Sequence, residues 1–106
     1  MERTISPANL KKLLESGPVS LLDVRRKGDL DASREKLLGA TWCDPEQLAE
    51  WADKVPKNRE VVLYCVRGGS VSNSVVDVLQ EKGVKARFIE GGIEGWKTAG
   101  GGVAQK

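Results

Sequence analysis

Cys65 is the residue of this sequence best placed to do chemistry. It ends the apolar run at residues 60–65, and a glycine-containing loop and the start of a helix follow it. Such a loop can turn its backbone N–H groups inward to form an anion-binding nest, and the helix adds the positive end of its dipole. Both features favour the thiolate, so we expect the pKa of Cys65 to be lowered.

The absence of histidine limits what this cysteine can do. With no histidine in the chain, a Ser-His-Asp triad, a Cys-His pair and a His-ligated zinc site are all excluded. A thiolate stabilised by backbone donors needs no general base, so cysteine chemistry remains open. A tyrosine-phosphatase loop needs arginine six residues after its cysteine, and Val71 occupies that position. The phosphatase reading therefore fails, and the related arsenate-reductase loop fails with it.

Length and composition indicate one ordinary globular domain over residues 1–106, with the last six residues expected to fray. Of the 106 residues, 40% are hydrophobic and 30% charged, and 17 Lys+Arg against 15 Asp+Glu give a net charge of +2. Neither a basic stripe nor an aromatic platform is present, so we expect no nucleic-acid partner.

No apolar run approaches the ~20 residues that a membrane span needs, so no membrane partner is expected. The N-terminal residues form no apolar signal segment. The two cysteines, Cys43 and Cys65, form no Cys-x-x-Cys motif. These features predict a cytoplasmic protein with free thiols.

Helix and strand patterns alternate along the chain. Ser6-Pro7 starts a helix that ends before Gly17, and Asp44-Pro45 starts another. The apolar strand candidates are residues 19–24, 39–43, 60–65 and 84–89, and helical spacing is found from Ser70 to Gly83 and from Ile93 to Thr98. This alternation predicts an α/β domain with a mainly parallel sheet, in which Cys65 lies at the ligand-binding carboxyl edge.

Residues 64–70, Tyr-Cys-Val-Arg-Gly-Gly-Ser, resemble the active-site loop of single-domain rhodaneses, the thiosulfate sulfurtransferases. Three more segments are similar to the family in the same order. Residues 22–25 match its Asp-Val-Arg strand end, Asp44-Pro45 a helix start, and residues 91–96 its Gly-Gly-x-x-x-Trp segment. The resemblance implies a three-layer α/β/α domain with a five-stranded, mainly parallel sheet.

The resemblance also implies a reaction that needs no cofactor or metal. The Cys65 thiolate attacks the outer sulfur of thiosulfate, sulfite leaves, and a cysteine persulfide remains. Cyanide, a thiol or a thioredoxin-like protein then accepts that sulfur. The backbone N–H groups expected to hold the persulfide are those of Val66, Arg67, Gly68, Gly69 and Ser70.

Several side chains have a functional and a structural interpretation. Arg67 is placed to attract a dianionic donor at the pocket mouth, or it is a solvated loop residue. Arg25 is a weaker candidate for the same role, within a charged stretch at residues 25–38 that we expect to be a solvated loop with a helical turn. The Ser70 hydroxyl is a candidate donor to the sulfur. Asp23 is expected to orient the loop or to pair with an arginine.

Cys43 is either a resolving thiol for Cys65 or a half-buried small residue, and packing is the favoured interpretation. The three tryptophans, Trp42, Trp51 and Trp96, are expected to pack in the core or at its rim. Two functions stay open at this stage. One is a thiosulfate sulfurtransferase, and the other is a sulfur carrier loaded by a protein partner. A catalytically inactive regulatory domain is disfavoured because Cys65 is present.

Overall fold

The computed structural model describes residues 2–105 and has the predicted α/β/α architecture. In chain order its elements are β1 (Thr4–Ile5), α1 (Pro7–Ser16), β2 (Val19–Asp23), α2 (Lys27–Ala32), β3 (Glu35–Leu37), β4 (Thr41–Trp42), a 3-10 turn (Pro45–Gln47), α3 (Leu48–Trp51), a second 3-10 turn (Ala52–Lys54), β5 (Glu60–Tyr64), α4 (Ser70–Glu81), β6 (Lys85–Ile89), α5 (Gly92–Thr98) and β7 (Val103–Gln105). Five strands form a parallel sheet in the order β1-β6-β5-β2-β4.

The central strand β5 is buried on both faces, as its unbroken apolar run predicts. Val61 and Leu63 face one hydrophobic core, to which α3 and α4 contribute. Val62 and Tyr64 face the other core, to which α1 and α5 contribute. Because side chains alternate along a strand, neighbours in β5 belong to opposite cores. This alternation decides which residues meet Cys65 at the carboxyl end.

Capping residues begin the helices where the sequence predicts. The Ser6 hydroxyl accepts a hydrogen bond from the Asn9 N–H at 3.1 Å, ahead of α1. The Asp44 carboxylate accepts one from the Glu46 N–H at 2.9 Å, ahead of the 3-10 turn that leads into α3. Each satisfies a backbone donor that has no partner within its helix.

Two expectations about irregular segments are wrong. The charged stretch at residues 25–38 is not a loop with one helical turn, because it contains both α2 and β3. Arg25 within it is only 1% exposed. The C-terminus is not frayed over the described residues. Strand β7 pairs antiparallel with β3, and the buried Trp96 side chain donates to the Gly102 carbonyl at 2.9 Å.

Candidate active site

Cys65 follows the last residue of β5 and is 7% exposed. The preceding residue, Tyr64, points into the core beneath α1 and α5. The alternation of strand side chains therefore directs Cys65 to the opposite face, where α4 begins. The predicted position at the carboxyl edge of the sheet is confirmed, and the helix that follows lies on the same side as the sulfur.

The surroundings of the sulfur stabilise a negative charge. Burial raises the pKa of Cys65, but hydrogen bonds to the sulfur outweigh it and lower the pKa below its ordinary value. The donors are the Ser72 hydroxyl and the backbone N–H groups of Gly69, Gly68 and Ser72. Two of the predicted loop amides, those of Gly68 and Gly69, thus face the sulfur. The nest needs no imidazole because its donors are fixed by the backbone.

Ser72 is a functional residue that sequence reasoning missed. Its side chain is fully buried, and its hydroxyl meets the geometric limits of a hydrogen bond with no group in residues 2–105. It is nevertheless the strongest donor acting to lower the pKa of Cys65. The missing hydrogen bond and the effect on the pKa have one explanation. The hydroxyl faces the Cys65 sulfur, which is a weak acceptor as a thiol and a strong acceptor as a thiolate.

The sequence predicts Ser70 as the hydroxyl donor to the sulfur. In the structure Ser70 is the first residue of α4, and its side chain is exposed. A signal for Ser72 was present in the helical spacing. Ser72, Val75, Val76 and Leu79 recur at the positions of one helix face, and all four are buried. Ser72 is the polar residue in that otherwise apolar stripe, so its hydroxyl is directed toward the sheet and Cys65.

A cleft of about 430 Å³ opens over the site. Its lining residues are Arg26, Asp29, Cys65, Val66, Arg67, Gly69, Ser70 and Val71. The guanidinium groups of Arg26 and Arg67 make no hydrogen bond or ion pair with any of residues 2–105, and both residues are exposed. The cleft therefore offers two uncommitted positive charges beside the Cys65 sulfur. Arg67 was expected there, whereas Arg26 was not singled out from the sequence.

Arg25 does not lie at the mouth of this cleft, contrary to expectation. Its guanidinium forms a buried ion pair with Asp23, in which Nε lies 3.0 Å from Oδ1 and Nη2 lies 2.7 Å from Oδ2. Tyr64 donates to the same carboxylate at 3.0 Å, and Arg25 also donates to the Glu35 carbonyl at 2.9 Å. The expected pairing of Asp23 with an arginine is confirmed.

This buried network lies on the sheet face opposite to the sulfur. Asp23 is level with Tyr64 in the β2–β5 ladder, and both belong to the face covered by α1 and α5. The low dielectric favours the neutral phenol there, so burial first, and then the adjacent Asp23 charge, raise the pKa of Tyr64. Asp23 and Arg25 therefore support β2 and β5 and do not contact a substrate at Cys65.

Cys43 is a free thiol, half-buried against the core beneath α3 and α4. Burial, and secondly the charge of Asp23, raise its pKa, which makes it less reactive. Cys43 and Cys65 follow β4 and β5, which both flank β2 and end at the same level of it. Two strand spacings separate their backbones by about 9–10 Å. This exceeds the reach of a disulfide, so the geometry favours a packing role for Cys43.

No group of three or more His, Cys, Asp or Glu side chains among residues 2–105 could hold a metal ion. Over that same range, no helix combines the length and apolar character that crossing a membrane requires. Fold and site together define an α/β domain in which the sulfur of a cysteine with a lowered pKa faces backbone amides.

The chain belongs to the rhodanese-like domain family, whose sequence pattern matches residues 6–99. Among its relatives is the thiosulfate sulfurtransferase GlpE of Coxiella burnetii strain RSA 331 / Henzerling II. That protein is 31% identical over 99 residues, which span 92% of this chain and 90% of the relative. The recognition of the family from its four segments is confirmed, and the chain falls in the sulfurtransferase class.

Solved structures confirm the fold. A rhodanese-like domain protein of Staphylococcus aureus has a TM-score of 0.76 at 29% identity, with 90% of this chain and 91% of that chain covered. A rhodanese-related protein of Thermoplasma volcanium has a TM-score of 0.82 at 23% identity, with 97% and 98% covered. The three-layer domain with a five-stranded parallel sheet is therefore shared along nearly the whole length of these chains.

Proposed function

We propose that this protein is a sulfurtransferase that moves sulfane sulfur from thiosulfate, or another persulfide donor, to a thiophilic acceptor through a Cys65 persulfide. One observation carries the proposal. The sulfur of Cys65 lies in a nest of backbone N–H groups with a lowered pKa, below a cleft lined by the uncommitted charges of Arg26 and Arg67. The named activity of the GlpE relative supports thiosulfate as the donor.

In the first step the Cys65 thiolate attacks the outer sulfur of thiosulfate. A new S–S bond forms to Cys65, the bond between the two thiosulfate sulfurs breaks, and its electron pair leaves with sulfite. The total charge of the reactants and products is the same, and no proton changes place. This is why a site without histidine can perform the step.

In the second step an acceptor removes the outer sulfur of the persulfide. Cyanide takes it as thiocyanate, the S–S bond breaks, and its electron pair returns to Cys65 as thiolate. A thiol acceptor reacts in the same way and becomes a persulfide itself. A recess of about 460 Å³ adjoins the cleft and shares Arg26, Ser70 and Val71 with it. It offers room for an acceptor larger than cyanide.

The side chains of the cleft have distinct parts in this scheme. Arg26 and Arg67 offset the repulsion between a dianionic donor and the thiolate, which raises the local concentration of the donor. The loop amides from Val66 to Ser70 receive the charge of the persulfide, in the manner of an oxyanion hole. Ser72 stabilises the thiolate before attack and after release. Since the mechanism needs free thiols, the reducing cytoplasm is the location we propose.

Intact mass spectrometry after treatment with thiosulfate tests the proposal. We expect one added sulfur atom on the wild-type protein, removed by cyanide and absent from Cys65→Ser. The Cys43→Ser variant is the matched control, and it should gain and lose the sulfur like the wild type. A mass that stays unchanged with thiosulfate and with a cysteine persulfide donor would overturn the proposal.

Steady-state turnover with thiosulfate and cyanide distinguishes an enzyme from a carrier. An enzyme should turn over far above the Cys65→Ser background. If turnover stays at that background while a cysteine-desulfurase persulfide loads Cys65 rapidly, the protein is a sulfur carrier and the thiosulfate assignment is wrong.

A further inference from the structure

Residues 92–94 contact the backbone at the start of the loop that follows β5. The Ile93 N–H donates to the Cys65 carbonyl at 3.0 Å, and the Glu94 N–H donates to the Val66 carbonyl at 3.2 Å. These amides belong to the first turn of α5, where N–H groups have no acceptor within the helix. The Cys65 and Val66 carbonyls thus accept hydrogen bonds from two helix N–H groups that would otherwise bond to water or to a capping side chain.

The contact is so close that only glycine fits at position 92. A Cβ atom there would lie 2.5 Å from both the Cys65 and the Val66 carbonyl oxygens, and φ is +61°. On the other side of the contact, Gly68 has φ +74°, and a Cβ there would lie 3.2 Å from the Gly91 nitrogen and the Ile89 oxygen. Two glycines therefore allow the loop and the start of α5 to meet backbone to backbone.

We propose that residues 92–94 are the positioning element of the sulfur-binding loop, fixing the Cys65 and Val66 carbonyls on one side so that the following amides face the sulfur. The proposal rests on the proposed function of Cys65. A planar trans peptide directs its C=O and its N–H to opposite sides. With the carbonyls of Cys65 and Val66 turned toward residues 92–94, the N–H groups of Val66 and Arg67 point away from residues 92–94. The Gly68 and Gly69 amides that donate to the sulfur follow directly on this fixed stretch of backbone.

The positioning element is itself anchored to the core, independently of the loop. Trp96 of α5 is 4% exposed, and Ile93 is 3% exposed in the same core. The Trp96 indole N–H bonds to the Gly102 carbonyl, and the Gly101 N–H bonds to the Trp96 carbonyl at 2.8 Å. Because α5 is fixed by these contacts, a change at residues 92–94 should displace the loop and leave the sheet folded.

A matched pair of variants at one exposed position tests the amide of Glu94. Glu94→Pro removes the N–H that holds the Val66 carbonyl and puts a ring carbon in its place, so that the carbonyl must move. The first turn of a helix itself tolerates proline. Glu94→Ala removes the same side chain and keeps the N–H. We expect Glu94→Pro to slow alkylation of Cys65 at neutral pH by at least about two- to tenfold relative to Glu94→Ala, because the loss of one ordinary hydrogen bond is the smallest effect of the substitution. The pH profile of alkylation should also move to higher pH.

Gly92→Ala provides a second, independent test, and Gly28→Ala is its control. A Cβ at Gly28 meets nothing within 4 Å, and this residue lies outside the site. Gly92→Ala should move the alkylation profile to higher pH more than Glu94→Pro does, with the tryptophan fluorescence and circular dichroism of the protein unchanged. Profiles that superimpose on those of the two alanine controls would overturn the proposal, as would global unfolding of both test variants.

These outcomes are separable from the proposed function. Alkylation measures the thiolate of Cys65 without any sulfur donor. A wild-type protein that never gains sulfur refutes the proposed function, even if the alkylation profiles shift as expected. Unshifted profiles in a protein that does form a persulfide refute only the positioning role.

Discussion

Replacing Ser72 by alanine should make the protein less reactive and more stable. The Ser72 hydroxyl is buried, lacks another partner in the described chain and acts on the Cys65 sulfur. A hydrogen bond to a charged group contributes about 1.5–3 kcal/mol. Because the thiolate keeps its backbone donors in Ser72→Ala, we use the lower end of this energy range. We therefore expect ionisation to cost about 1.5 kcal/mol more, which lowers the thiolate fraction about tenfold below the pKa.

Ser72→Ala should increase the stability of the fold while it decreases the reactivity of Cys65. While Cys65 is a thiol, the hydroxyl is a buried polar group with no adequate partner, and such a group costs about 1–3 kcal/mol. Its removal should raise the free energy of unfolding by about 1 kcal/mol at a pH where Cys65 is protonated. A site that sacrifices stability for reactivity is a common arrangement in enzymes.

The assay is the rate of Cys65 alkylation as a function of pH, together with denaturant unfolding. Ser74→Ala is the matched control, since Ser74 is exposed on the same helix. An alkylation profile of Ser72→Ala that coincides with that of Ser74→Ala would refute the role assigned to the hydroxyl. A loss of stability in Ser72→Ala would show that the hydroxyl has a partner in the thiol state.

Three further predictions concern the charged and aromatic groups. Arg25→Leu should lower the free energy of unfolding by about 3–5 kcal/mol, because it leaves the Asp23 carboxylate buried and unpaired. In protein that is still folded, below the unfolding transition, the rate of alkylation of Cys65 should be nearly unchanged. Arg26→Ala and Arg67→Ala should each raise KM for thiosulfate severalfold and weaken its dependence on ionic strength, while alkylation by a neutral reagent changes little. The raised pKa of Tyr64 means that its contribution to stability is complete below pH 10.0 and is lost as the pH rises further, so the difference in Tm between wild type and Tyr64→Phe should shrink above that pH.

The sequence predicts the elements whose signals are local. Ser6-Pro7 and Asp44-Pro45 begin helices because capping and proline chemistry act within one turn. The run at residues 60–65 is a central strand because both its faces are apolar, and the loop after it must be a nest because glycines and a helix start follow. These local rules suffice to place Cys65 and two of its backbone donors, Gly68 and Gly69, whereas the Ser72 N–H lies outside the expected set.

What could not be predicted depends on distant partners. Arg25 lies in a charged run that is typical of a surface, and its burial follows from Asp23 on the same strand face and from Tyr64 on the next strand. The pairing of β7 with β3 joins two three-residue segments from distant parts of the chain, and neither has a pattern of its own. The hydroxyl nearest to Cys65 in the sequence is that of Ser70, whereas only the apolar helix face indicates that Ser72 is the buried one.

The separation of the two cysteines across β2 has a consequence for oxidative damage. If peroxide converts Cys65 to a sulfenic acid, the nearest thiol of the same chain cannot reach it to form a protecting bridge. Recovery then depends on a small thiol or a reductase entering from solvent. Without one, continued exposure carries the sulfur on to the sulfinic state, and Cys65 can no longer react as a nucleophile.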